Sequence, residues 1–140
     1  MENVYGKWKV AVDRTTGVAE IGKLFGWTEE KQKMFSSLEY TMLLEASGDK
    51  HRCYLDYGAM TMEFLFKLGE PFDYTGADGT KAKCTVTLQG DNKLVDRYRT
   101  PEGASWQTVR EVDKEAGTMK TTTTFDGFPD VACVQQLVKL

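Results

Sequence analysis

The chain has a single histidine, His51, so it lacks the second imidazole that a histidine metal pair or a histidine relay would need. It also lacks a Cys-x-x-Cys pair, a Gly-x-Ser-x-Gly elbow and a phosphate-cradling Gly-Lys-Ser/Thr run, which removes common redox, hydrolase and nucleotide-binding signatures. No apolar run approaches the ~20 residues of a membrane-crossing helix. The 18 lysines and arginines are scattered rather than striped and are outnumbered by 21 acidic residues, for a net charge of −3, so nucleic acid is not an expected partner. Three cysteines, Cys53, Cys84 and Cys133, cannot all pair within one chain and read as small buried or half-buried hydrophobes. The start Met1-Glu2-Asn3 has neither the basic nor the apolar region of a secretory leader, and the expected location is cytoplasmic, where those thiols stay reduced. His51 lies beside Lys50 and Arg52 near a hairpin turn and reads as a solvated loop histidine. The inventory points away from an enzyme, and no cofactor or metal is expected.

What the chain has in quantity is turns. Gly58-Ala59, Gly69, Ala77-Asp78-Gly79, Gly90-Asp91-Asn92, Pro101-Glu102-Gly103 and Asp126-Gly127 recur at roughly ten-residue spacing, the rhythm of an antiparallel meander. Before the meander, Tyr5 to Asp13 alternates as a first strand, and then the period changes. Val18, Ile21, Leu24 and Phe25 fall on one side of a helix that Gly26 can end. Thr28 fits as the N-cap of a second helix with Glu29 and Glu30 in its first turn and Met34, Phe35 and Leu38 on its apolar side. Residues 15–38 thus form a short helix-turn-helix of nearly balanced charge, better suited to a lid than to a DNA groove. Strands follow at about 39–47, 50–57, 60–68, 71–75, 80–89, 93–100, 105–113, 118–126 and 130–139, ten in all with the first.

An open sheet of that length would leave long unpaired edges, and closing it removes them. The expected fold is therefore all-β: one domain, residues 1–140, folded as a ten-stranded antiparallel barrel with the helical pair over one end. A barrel of this strand number is too wide for side chains alone to fill and tends to hold a small ligand. The last strands agree, because their inner faces carry Arg110, Thr121, Thr123 and Gln135 among apolar neighbours. Alternation puts Trp106, Thr108, Arg110 and Val112 on one face and Gln107, Val109 and Glu111 on the other, and the tryptophan side is the natural interior. A buried guanidinium is costly unless matched, so this interior favours an anionic head or an ordered water cluster, with Gln135, Thr121 and Thr123 completing the hydrogen bonds.

Several segments, in order along the whole chain, resemble the intracellular lipid-binding proteins, the fatty-acid-binding and retinoid-binding family. They are Tyr5-Gly6-Lys7-Trp8-Lys9-Val10, Phe66-Lys67-Leu68-Gly69-Glu70-Pro71-Phe72-Asp73-Tyr74, Ala77-Asp78-Gly79-Thr80 with Lys83, and Thr108-Val109-Arg110-Glu111. The resemblance implies a calycin-like, clam-shaped barrel around one or two long-chain lipids, carriage rather than catalysis, and a monomer that can touch membranes transiently. It implies a portal made by the second helix and two strand turns, which places Met34, Phe35, Ala59, Met60, Gly76 and Ala77 at the entrance. It places Arg110 where many members hold a fatty-acid carboxylate, while Gln135 and Leu137 stand where those members carry an Arg-x-Tyr pair. The segment 72–80 is most similar to the intestinal fatty-acid-binding type, which relies chiefly on one deep arginine. Retinol carriers use glutamine at both arginine positions, so Arg110 with Gln135 is a mixture. Two other readings stay open beside the fatty-acid carrier: a carrier of a retinoid or other neutral-headed lipid, and a same-fold protein acting mainly by membrane or protein interaction. Met42, Met62, Phe64, Tyr74, Val86, Trp106 and Leu137 are candidates for the tail lining, though core packing explains any one of them taken singly. Trp8 is assigned to stability, as a plug of the closed end.

Overall fold

The structure is a computed structural model that describes residues 1–76 and 79–140. The sequence expectation for Ala77 at the portal therefore lies outside the described residues. Strand β1 (Gly6–Thr16) is followed by helices α1 (Val18–Phe25) and α2 (Glu29–Ser36). Then come β2 (Thr41–Ser47), β3 (Lys50–Asp56), β4 (Thr61–Phe66), β5 (Phe72–Thr75) and β6 (Lys81–Gln89). Strands β7 (Lys93–Arg99), β8 (Ser105–Asp113), β9 (Thr118–Phe125) and β10 (Phe128–Lys139) complete the chain. They make one ten-stranded antiparallel sheet in the order β4-β3-β2-β1-β10-β9-β8-β7-β6-β5. The first and last strands of the chain are neighbours at its centre, so the meander wraps round on itself, and β4 and β5 are its two edges.

The expected elements are present, with shifted limits. β1 runs on to Thr16, past the expected end at Asp13, because its second half leaves β2 and stays with β10 across a bulge between Ala11 and Thr16. Gly17 then turns the chain into α1 at φ 87°, where it lies against β10. A Cβ there would stand 1.8 Å from the Ala132 carbonyl oxygen, so only glycine allows this approach. Gly26 ends α1 in the left-handed region, and Thr28 caps α2 by accepting from the Lys31 amide at 3.2 Å.

The lid is held by the buried Val18 and Ile21 of α1 and by aromatic contacts. The Phe25 ring lies 4.9 Å from that of Phe125, and Trp27 stacks on Phe35 at 5.0 Å. Helix α2 has no buried residue and Met34 is exposed, so its ordering depends on few contacts. Replacing Thr28 with alanine is expected to remove about 1 kcal/mol from α2. Hydrogen exchange of the α2 amides should show it as a roughly fivefold loss of protection, with the strands unchanged.

The packed core lies toward the end of the barrel away from the lid. Trp8, Met42, Leu94, Met119 and Leu137 are fully buried there, joined by Val4, Val10 and Val112. Register fixes the polarity: Thr16 beside α1 pairs with Val134, whereas Trp8 pairs with Lys139 at the far end of β10. His51 is not on a solvated loop. It belongs to β3, is half-buried, shares a hydrogen bond at Nδ1 with the Tyr5 hydroxyl and packs on Phe66, so burial lowers its pKa.

Candidate functional site: an interior cavity with a polar pole

Between the core and the lid the barrel encloses a cavity of about 480 Å³, within the ~300–1,000 Å³ range of small-molecule sites. The lid contributes Val18, Ile21, Phe25 and Phe35 to its wall, and the sheet adds Phe64, Phe72, Tyr74, Val86 and Trp106. The aromatic wall is continuous: Phe64 stacks on Tyr74 at 5.1 Å, Tyr74 meets Tyr98 at 4.8 Å, and Tyr98 stacks on Trp106 at 5.2 Å.

The polar side chains gather on β7 to β10 and on Tyr40. Arg110, Thr121 and Gln135 are consecutive cross-strand neighbours on β8, β9 and β10, all facing inward. The Arg110 guanidinium donates to Asp96 Oδ2 from Nε at 3.3 Å and from Nη2 at 3.1 Å, and the Tyr98 hydroxyl donates to the same oxygen at 3.3 Å. The Tyr40 hydroxyl donates to Gln135 Oε1 at 2.8 Å, and the Thr108 and Thr123 hydroxyls bond at 3.0 Å. Asp96 Oδ1 and Thr121 Oγ1 are buried, and neither has a hydrogen-bond partner among the described residues.

Burial is the largest single influence on Arg110 and opposes its charge, but Asp96, Tyr98, Cys53 and Tyr40 together outweigh it and hold the guanidinium above its ordinary pKa. Burial raises the Tyr40 hydroxyl, partly offset by Arg110, and pushes the Cys53 thiol up to about 11 and the Cys84 thiol up to about 12. Neutral thiols at physiological pH are poor nucleophiles. Among the described residues there is no group of three or more His, Cys, Asp or Glu that could hold a metal ion, and no helix long and apolar enough to cross a membrane.

Of the residues predicted from sequence, Arg110, Gln135, Thr121, Thr123, Trp106, Tyr74, Phe64, Val86 and Phe35 line this cavity. Leu137 shares their face of β10 but sits one step deeper, fully buried beside Val10 and Met119. Met62 is half-buried on β4, opposite Leu55, and is not part of the cavity wall. Met34, Ala59 and Met60 are exposed at the lid and at the turn after β3.

Sequence reasoning missed Asp96, Tyr40 and Tyr57. Asp96 stands next to a charged residue, Arg97, yet its position carries a usable signal. Folding β7 onto β8 about the turn at Glu102 pairs Asp96 with Thr108 and Leu94 with Arg110, which puts Asp96 on the arginine's face.

No protein-family model matches the chain. It is 31% identical over 123 residues to the intestinal fatty acid-binding protein of Bos taurus, covering 87% of this chain and 89% of that one. It is 34% identical over 108 residues to the muscle fatty acid-binding protein of Schistocerca gregaria, covering 76% of this chain and 79% of that one. Among solved structures, a Schistosoma mansoni fatty acid binding protein in complex with arachidonic acid aligns at a TM-score of 0.85 and 26% identity, covering 100% of this chain and 98% of that one.

Proposed function

The chain belongs to the intracellular lipid-binding protein family, on its fatty-acid-binding side, and from that premise we propose that it binds and carries a long-chain fatty acid or a close derivative inside the barrel. One observation carries the reading: a cavity whose lid half is mainly aromatic and aliphatic and whose wall on β7 to β10 gathers polar groups around Arg110, the shape of a molecule with a long tail and one head. The tail lies along Phe25, Phe35, Phe64, Phe72 and Trp106, and the head reaches Arg110. Entry is between α2 and the turn carrying Ala59 and Met60, where the exposed Met34 and Met60 offer an apolar rim. The role is carriage.

Native mass spectrometry of the protein from its own source, followed by lipid extraction, tests the proposal. The expected result is one long-chain acyl lipid per barrel, replaceable by added oleic acid or one of its derivatives. A barrel that comes out empty and takes up no added acyl lipid overturns it and leaves interaction at a membrane or protein surface as the role of the fold.

A further inference from the structure

Arg110 is not a free cation waiting for an anion. Its Nε and Nη2 are engaged by Asp96 Oδ2, and both side chains are close to fully buried, at 16% and 8% exposure. The charge that would draw in a carboxylate is therefore already compensated inside the protein. Among the groups the pair leaves unmet is a buried acceptor: Asp96 Oδ1 has no partner in the cavity wall, and neither has the Thr121 hydroxyl, on the neighbour of Arg110 across β8 and β9.

We propose that Asp96 selects the head group, so that this barrel prefers long-chain lipids whose head is uncharged and carries an O–H or N–H donor, such as a primary alcohol or a primary amide, over ionised fatty acids. The proposal rests on the carrier reading and sharpens its substrate class. A hydroxyl or amide head brings both a donor, which Asp96 Oδ1 lacks, and an acceptor, which the Thr121 hydroxyl lacks. An ionised carboxylate brings acceptors only. It would leave Oδ1 without a donor and set two negative charges around one guanidinium in a site withdrawn from water. A fatty acid can enter as the protonated acid, donating its own proton to Oδ1. For a carboxyl of ordinary pKa near 4.3, that form is about one part in 500 at pH 7. With Oε1 taken by Tyr40, Gln135 offers its amide N–H to a head-group oxygen of either kind.

Competition of oleic acid, oleyl alcohol and oleamide against a neutral, environment-sensitive dye at pH 7 tests this, on the native protein and on Asp96→Asn. The native protein should bind the alcohol and the amide at least about tenfold more tightly than oleate, a gap of ~1.4 kcal/mol or more. Asp96→Asn removes the charge while keeping the shape, and should tighten oleate by about tenfold while moving the alcohol by less than about threefold. Native protein that prefers oleate, or an unchanged ratio in Asp96→Asn, overturns the selector and leaves the carrier reading standing. If none of the three displaces the dye from native protein, the carrier reading falls and the selector with it. The ranking on native protein decides the matter even if the variant does not fold.

Discussion

Arg110→Leu alone is expected to lower the stability of the empty barrel by about 3–5 kcal/mol, whereas Arg110→Leu combined with Asp96→Leu should recover most or all of that loss. The asymmetry follows from the pair's surroundings. Arg110 and Asp96 are bonded at 3.1 Å with side chains 16% and 8% exposed, so each charge depends on the other for compensation. Deleting the guanidinium leaves Asp96 buried with only the Tyr98 hydroxyl, at 3.3 Å, to stabilise its oxygen. Deleting both replaces two desolvated ions with apolar surface against Leu94, Tyr98 and Trp106, which is close to neutral in well-packed interiors. Urea denaturation of the single and double variants gives the coupling directly. A double variant no more stable than Arg110→Leu alone would mean that Asp96 does not depend on the guanidinium for its compensation. Because the guanidinium pKa is raised, its contribution is complete below the unfolded-state value and is lost only as pH climbs past the higher folded value. Across the whole working range, then, the pair's effect should not change with pH through Arg110.

The same pair links stability to cargo. A barrel that gives up packing to keep a cavity has little apolar surplus with which to bury ions. Retaining Arg110 and Asp96 together means that the charge of the buried pair sums to zero before any lipid arrives, and a head group that adds none disturbs it least.

Much of this was readable in the chain because β-structure alternates. Turn spacing gave ten strands within one or two residues of their limits at most ends, and the parity of Trp106, Thr108, Arg110 and Val112 put the arginine inside. Gly26 and Thr28 announced the lid's internal boundaries. Parity says which face a residue takes but not how deep it lies, and depth separated Leu137, in the core, from Gln135, in the cavity, two residues apart on one face. Partners across strands are a second blind spot. Asp96 becomes visible only when β7 and β8 are laid in register, and Tyr40 meets Gln135 across 95 positions of sequence through the closure of β1 on β10. His51 misled for the reverse reason: charged neighbours on either side suggested solvent, but on a strand its ring takes the opposite face from Lys50 and Arg52, toward Tyr5 and Phe66.

Trp8→Ala is expected to cost about 3–5 kcal/mol, the range for truncating a large aromatic in a core that cannot collapse around the gap. Trp8 is fully buried at the end of the barrel remote from the lid, paired across the sheet with Met42 and Lys139, and its Nε1 donates to the Val4 carbonyl at 3.0 Å. That bond ties the N-terminal turn over the barrel end, and the Lys139 ammonium lies 5.6 Å above the indole ring, so the substitution loosens both termini at once. Trp8→Phe keeps most of the apolar volume and loses the N–H donor, leaving the Val4 carbonyl without its partner, and should cost about 1–3 kcal/mol. Since Trp8 does not line the cavity, lipid affinity per folded molecule should be unchanged in both variants even as the urea midpoint falls. Affinity loss without a stability loss would move Trp8 out of the core and into the binding site. The expected outcome, stability lost and affinity kept, separates the two halves of the barrel: a closed end that holds the fold together, and an open half, beneath the lid, that is left free for cargo.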